Sequence, residues 1–188
     1  AAHFLSETSK CIVLEMEEQP GYHTTSRSIA VFTEAYGPRT IRALAKCGHG
    51  FFAKPAASFT EVPLARPQAF LFVAREDQKT ANEKLLASCR ELSADIRAVS
   101  GAEACQRVPV LRPDYIKSAF EDPTAMALDV AAIHQGYIRG LKAKGSEIVC
   151  KAEAQRFERK NGKWHVTTPQ GTFVAPVVIN AAGAWADV

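Results

Sequence analysis

The chain has 188 residues, with 23 lysines and arginines against 20 aspartates and glutamates, and 47% of its residues are hydrophobic. That length supports one domain, or one domain with a smaller lobe. A near-neutral balance without a basic block excludes a nucleic-acid face, and no apolar run approaches the roughly 20 residues that span a bilayer.

Residues 1–9 (AAHFLSETS) read as the tail of a helix. Cys11 to Leu14 form a short apolar strand closed by Glu15. A carboxylate at the end of such a strand accepts hydrogen bonds from the ribose hydroxyls of an adenosine. Alone, Glu15 reads more readily as a solvated strand end. Gln19, Pro20 and Gly21 mark a turn, and Tyr22 to Ser28 form a polar cluster. Hydroxyls and backbone donors leading into a helix are what a pyrophosphate or flavin ring needs. Residues 26–36, with Ile29, Ala30, Val31 and Phe32 ahead of Tyr36 and Gly37, read as that helix, stopped by the glycine.

Residues 39–53 carry Ile41, Leu44, Ala45, Phe51 and Phe52 at helical spacing, with basic residues outside. Pro55, Pro63 and Pro67 make 55–69 a loop-and-edge region and a boundary between lobes. Ala69 to Ala74 is an apolar, aromatic strand. Residues 78–93 read as an exposed helix and 101–108 as a short one ended by Pro109, and Asp122-Pro123 marks a turn. Asp129 caps a helix running to Lys144, with Gly145 just beyond. Ile133, Tyr137, Ile138 and Leu141 make its apolar stripe, and His134 beside that stripe reads as an ordinary core or surface histidine.

Strands follow at 147–150, 154–158, 163–168 and 172–175, with Asn161-Gly162 as a hairpin turn. The chain closes with Val177, Val178, Ile179 and Asn180 as a buried strand. The Ala181-Ala182-Gly183 after it leaves the backbone bare, so that a large ligand can rest against main-chain N–H groups. Five cysteines (Cys11, Cys47, Cys89, Cys105 and Cys150) are scattered and lack C-x-x-C spacing. That argues for a reducing compartment and against a disulfide frame or a zinc site.

The segments VLEMEEQPGYHTTSRS with TEAYG, EACQRVPVLRPD, ALDVAAIHQGYIRGLKAKG and VVINAAGAWAD, in this order and spacing, carry a resemblance. From end to end the chain resembles the D-amino-acid oxidase and glycine oxidase family of FAD-dependent oxidoreductases, nearest to bacterial D-arginine-dehydrogenase-like enzymes. The resemblance implies an α/β fold: a partial Rossmann-like FAD-binding domain with a smaller α+β substrate lobe inserted. The FAD-binding segments would be 1–63 and 124–188, and part of the lobe 64–123. It also implies a strand and a Gly-x-Gly-x-x-Gly turn ahead of residue 1, and further strands after NAAGAWAD. On that reading the chain is an internal piece of a longer enzyme.

The implied cofactor is FAD, with no metal. Glu15 would hold the ribose, and Thr24, Thr25, Ser26, Arg27, Ser28 and Ala30 would form the flavin and pyrophosphate loop. Ser26 stands where relatives often place glycine. Ala154 would meet the adenine edge, and Ala181, Ala182, Gly183 and Trp185 would line the pyrophosphate and ribityl chain. The implied reaction moves a hydride from the α-carbon of an amino acid, a D-amino acid, to the flavin. The imino acid formed hydrolyses to an oxo acid and ammonia, and oxygen or a quinone is the electron acceptor.

Tyr36 matches a catalytic position near the substrate, and Phe70, with Phe72 and Val31, would line the substrate wall. No carboxylate stands between Val62 and Ala74, which points to an apolar or broad substrate rather than a cationic one. The implied location is cytoplasmic, or peripheral to a membrane. Two alternatives fit the same residues: a truncated, non-catalytic subunit, or a related flavin oxidoreductase acting on hydroxy acids or N-methyl amines.

Overall fold

The structure, a computed structural model, describes residues 1–187. Its packing divides the chain into two units, one of Ala1–Arg27 with the chain from Tyr137 onward, the other of Ser28–Gly136. The first cut falls well before residue 63, because Val31 and Phe32 already ladder with Ala127 and Met126 of the middle segment. The second falls inside a helix, after residue 123.

The outer unit opens with α1 (Ala2–Leu5) and β1 (Ile12–Leu14). The middle unit then runs through β2 (Val31–Phe32), α2 (Arg39–Ala53), β3 (Ala65–Pro67), β4 (Phe70–Ala74), α3 (Lys79–Arg90), β5 (Arg97–Val99), α4 (Gly101–Arg107), β6 (Ser118–Asp122) and β7 (Met126–Leu128). Helix α5 (Val130–Ala143) leads back to the outer unit, which ends in β8 (Glu147–Val149), β9 (Arg156–Lys160), β10 (Lys163–Thr168) and β11 (Gly171–Ala175).

Two antiparallel sheets build the middle unit, in the orders β4-β6-β5 and β2-β7-β3. Alternation along β6 sends successive side chains to opposite faces. Phe120 lies opposite Phe72 in the register, and the two rings stack at 4.4 Å and 8°. With Ala35, Cys89 and Ile96 they form one core, against which Leu85 and Leu86 of α3 pack. On the other face Ala119 joins Val99, Ile116 and Ala104 of α4. Glu121 shares that face, buried, with Arg97 at 2.7 Å and Arg107 at 2.5 Å. Ser100 caps α4 by accepting the Glu103 N–H at 3.1 Å.

Three expectations are corrected here. Residues 26–36 form no helix: Ala30 has φ +58 and Ser28 Oγ accepts its N–H at 3.0 Å, which turns the chain out of helical geometry and into β2. β-branched Val31 and aromatic Phe32 suit a strand as well as a helix face, and β7 provides the ladder. In α2 the burial is rotated. Ile41 and Leu44 are exposed, while Arg42 is buried and donates to Cys89 Sγ (3.0 Å) and Ser88 Oγ (2.7 Å). Phe51 and Phe52 remain half-buried as an aromatic pair.

The third correction concerns Val177–Asn180, which is neither a strand nor buried: Val177 is 68% and Ile179 57% exposed. A strand exists by ladder pairing, and β1 is paired only with β8 among the described residues.

In the outer unit β1 and β8 are parallel, with Ile12 opposite Glu147 and Leu14 opposite Val149. The Asp129 carboxylate caps α5 by accepting the Ala132 N–H at 2.8 Å. At Gly140 a side chain would overlap the His3 ring, so glycine permits α1 to approach α5. Strands β9, β10 and β11 form an antiparallel meander. Asn161 and Gly162, at φ +52 and +76, make the primed turn that joins the first two. Among the described residues no helix is long and apolar enough to cross a membrane.

Candidate functional site

Glu15 sits immediately past β1, where its N–H donates to the Val149 carbonyl at 2.9 Å and its carbonyl accepts from Ala152 at 2.8 Å. Both backbone groups are thus spent on extending the β1–β8 pairing. The half-buried carboxylate turns back, and its Oε1 accepts the Glu17 N–H at 3.0 Å. Among the described residues no hydrogen bond to its Oε2 is found.

Residues 20–27 form a run of turns, with Gly21 at φ +83. The Ser26 N–H donates to the Gly21 carbonyl (3.0 Å), and its hydroxyl to the Tyr22 carbonyl (2.7 Å). Thr24, Thr25, Ser26 and Arg27 are exposed. The Arg27 guanidinium lies 5.1 Å from the Tyr22 ring centre, so Tyr22 guides that cation without neutralising it.

At the other end of the sequence the Asn180 side chain builds a turn. Its Oδ1 accepts the Ala182 N–H at 3.1 Å and its Nδ2 donates to the Ala186 carbonyl at 2.8 Å. Gly183 has φ +59, a conformation L side chains avoid, and a Cβ there would meet nothing within 4 Å. The turn therefore leaves open space beside bare backbone. Its Trp185 ring rests 4.5 Å from the His23 ring of the hydroxyl loop. Hence Glu15, the 20–27 loop and the 180–186 turn belong to one neighbourhood beyond the carboxyl end of β1. Ala154 is exposed in the same unit, between β8 and β9.

These features fit a dinucleotide: an acceptor carboxylate, a cluster of hydroxyls with one cation, and a side-chain-free turn. Sequence reasoning gave no role to His23 or Glu17. Their signal was limited to a His inside the polar cluster and the Glu-x-Glu spacing after β1.

Ser28, Ala30, Tyr36 and Phe70 belong to the middle unit. Tyr36 is 71% exposed. Its loop is held by Asp122, whose Oδ2 accepts the Thr33 hydroxyl (2.6 Å) and the Glu34 N–H (3.0 Å). Phe70 is opposite Asp122 in the β4–β6 register, so one buried carboxylate links the strand of Phe70 to the loop of Tyr36. Phe72 is no wall residue; it is a core ring stacked on Phe120. Phe70 meets it edge-on at 5.0 Å.

A cleft of about 570 Å³ opens beside the β2-β7-β3 sheet, lined by Ile29, Ala30, Val31, Pro63, Leu128 and Arg66 among others. The register explains it. Val31, Ala127 and Arg66 form one cross-strand row, while the next row contains buried Phe32 and Met126. The cleft is therefore the outward face of the sheet whose inward face is core. Tyr36 and Phe70 are not among its lining residues.

The fold is shared with solved flavoenzymes. Glycine oxidase from Geobacillus kaustophilus superposes with a TM-score of 0.83 at 15% identity, covering 98% of this chain and 52% of that one. L-proline dehydrogenase from P. horikoshii gives 0.80 at 20% identity, covering 98% and 50%. L-alpha-glycerophosphate oxidase from Mycoplasma pneumoniae, with FAD bound, gives 0.77 at 16% identity, covering 96% and 50%. The chain thus spans about half the length of these structures. The family model described as DAO, FAD dependent oxidoreductase, matches residues 1–188, and the chain belongs to that family.

Proposed function

We propose that this chain forms much of the FAD site, and one wall of the substrate site, of an enzyme that oxidises an amino acid at its α-carbon. The observation that carries the reading is the neighbourhood beyond β1, where Glu15, the hydroxyl loop and the Gly183 turn converge. FAD, when bound, supplies the hydride acceptor. Glu15 would hold a ribose hydroxyl, its Oε1 being already engaged by the Glu17 N–H. Thr24 and Thr25 would offer hydroxyls to the diphosphate, Ser26 would hold the loop through its bond to the Tyr22 carbonyl, and Arg27 would offset the charge. Ala181, Ala182 and Gly183 would let that group approach the main chain, with Trp185 closing the same turn. Ala154 would meet the adenine edge, and Ser28 and Ala30 keep the loop role that the family resemblance implies.

In the middle unit Val31 and Ala127, beside Arg66, would give the cleft an apolar patch that keeps water from the reacting carbon. Tyr36 contributes a phenol that orients the substrate, and Phe70 contributes apolar surface. With no carboxylate on the β3–β4 wall, the substrate is an apolar or broadly chosen amino acid of D configuration. The likeness to a glycerophosphate oxidase supports a second reading, oxidation at a hydroxyl-bearing carbon of an anionic substrate, with Arg66 in the cleft as its cation.

The test uses the protein expressed from its natural open reading frame. The expected protein is yellow, loses its colour on acid precipitation because FAD is held without a covalent bond, and is bleached anaerobically by D-amino acids. A colourless protein that added FAD cannot reconstitute overturns the reading. Bleaching by hydroxy acids, and not by amino acids, selects the second.

A further inference from the structure

His23 touches Glu17 and Tyr22 of its own segment and Trp185 far along the sequence. Its Nε2 is 2.7 Å from Glu17 Oε1. Its ring stands 4.5 Å from Trp185 and 5.0 Å, edge-on, from Tyr22. Each partner is itself fixed. The Glu17 N–H donates to the Glu15 carboxylate (3.0 Å), and its carbonyl accepts from Lys151 (2.9 Å). The Trp185 N–H donates to the Ala182 carbonyl (3.1 Å), within the turn that Asn180 builds. By contrast, the loop's remaining hydrogen bonds, from Ser26 to Gly21 and Tyr22, are internal to it. The His23 hydrogen bond instead ties the loop to Glu17, outside it.

We propose that His23 is a positioning residue of the dinucleotide site. It clamps the hydroxyl loop between Glu17 and Trp185, so that the loop and the bare Gly183 turn present their donors to the same diphosphate. The inference rests on the reading of this neighbourhood as the FAD site. Imidazole suits the task because one ring nitrogen bonds the carboxylate while the ring face and edge contact two aromatics. Without the clamp, the loop must be ordered at the moment the ligand binds, and the conformational entropy of several residues is charged to affinity.

The test measures the dissociation constants of FAD and ADP for flavin-free protein from the natural open reading frame. ADP offers the diphosphate and ribose without the flavin. His23→Ala is expected to weaken both by about tenfold or more, the cost of releasing one hydrogen bond and ordering the loop. His23→Phe retains a ring against Trp185 but loses Glu17, and is expected to fall between.

The Trp185 emission of the flavin-free protein, isolated as the difference between each protein and its Trp185→Phe counterpart, should move to longer wavelength in His23→Ala and much less in His23→Phe. A residue that merely supported the fold would not move that signal while leaving the thermal midpoint in place. Affinities within about twofold of the parent for both variants overturn the inference. Should His23→Ala lower the midpoint, His23→Phe and Glu17→Gln decide on the same criterion. A parent that binds neither ligand overturns the FAD reading itself, whereas normal binding by the parent and by every variant overturns only the role of His23.

Discussion

Asp122 grips Thr33 through a 2.6 Å hydrogen bond, and the same oxygen accepts the neighbouring Glu34 N–H at 3.0 Å. Its second oxygen accepts both the N–H (3.0 Å) and the hydroxyl (2.7 Å) of Thr124. The side chain is fully buried, yet every contact is a donor aimed at the carboxylate, so the arrangement is satisfied. Glu34, buried beside it, is met in turn by the Ser93 hydroxyl.

Replacing Asp122 with alanine removes the acceptor for two backbone N–H groups and two hydroxyls. Asp122→Ala should cost about 2–4 kcal/mol, the penalty of leaving buried donors unmet, read as a lower urea midpoint. A loss below about 1 kcal/mol would show that the loop re-solvates freely.

Tyr36 rides on that loop, and its exposure leaves the phenol free of structural duty. Tyr36→Phe should lower kcat/KM about tenfold, the worth of one hydrogen bond to the substrate, with the FAD dissociation constant and the melting temperature unchanged. Equal kinetics for the variant and the parent would make Tyr36 a surface residue.

Glu15→Ala should weaken FAD by about 1.5–3 kcal/mol, as expected for loss of a hydrogen bond to a charged group. Turnover of FAD-saturated enzyme should barely change. Because Oε1 also holds Glu17, Glu15→Gln should retain part of the affinity. An unaltered dissociation constant in both variants would return Glu15 to a solvated strand end.

Burial pushes the Cys89 thiol up, against the pull of the Arg42 guanidinium 3.0 Å from Sγ and with a smaller upward push from Asp122. The raised value means the folded protein keeps this proton after the unfolded chain has lost it. Its contribution to stability is therefore intact below the free thiol's titration, about pH 8.5, and is lost as pH rises toward the folded value. Iodoacetamide at pH 8 should modify exposed Cys47 and spare Cys89 until denaturant is added. Rapid native labelling of Cys89 would contradict its burial.

Local signals explain what the sequence reveals. Helix α5 is legible because Asp129, the 3.6-residue apolar stripe and Gly145 lie within one segment. The Asn161-Gly162 hairpin is legible for the same reason. The misread segments depend on distant partners. Residues 31–32 became a strand because 126–127 were available, and no local pattern reports that. Val177–Ile179 has strand composition, but composition supplies no ladder partner. At the candidate site Glu15 and the Ala-Ala-Gly turn stand out in one dimension. His23 acquires its place only when Trp185, far along the sequence, is folded against it.

The parallel pairing of β1 with β8 has a consequence for the order of assembly. The Cys11 N–H beside β1 donates to Ser146 Oγ, 135 positions later, and the strands themselves are similarly separated. During synthesis β1 must therefore wait for β8 until residues 147–149 have emerged, whereas β4, β5 and β6 can already meet within the middle unit. Closing so long a loop is entropically slow. Within this stretch of sequence the β4-β6-β5 ladder can therefore form ahead of the β1–β8 pairing that carries Glu15.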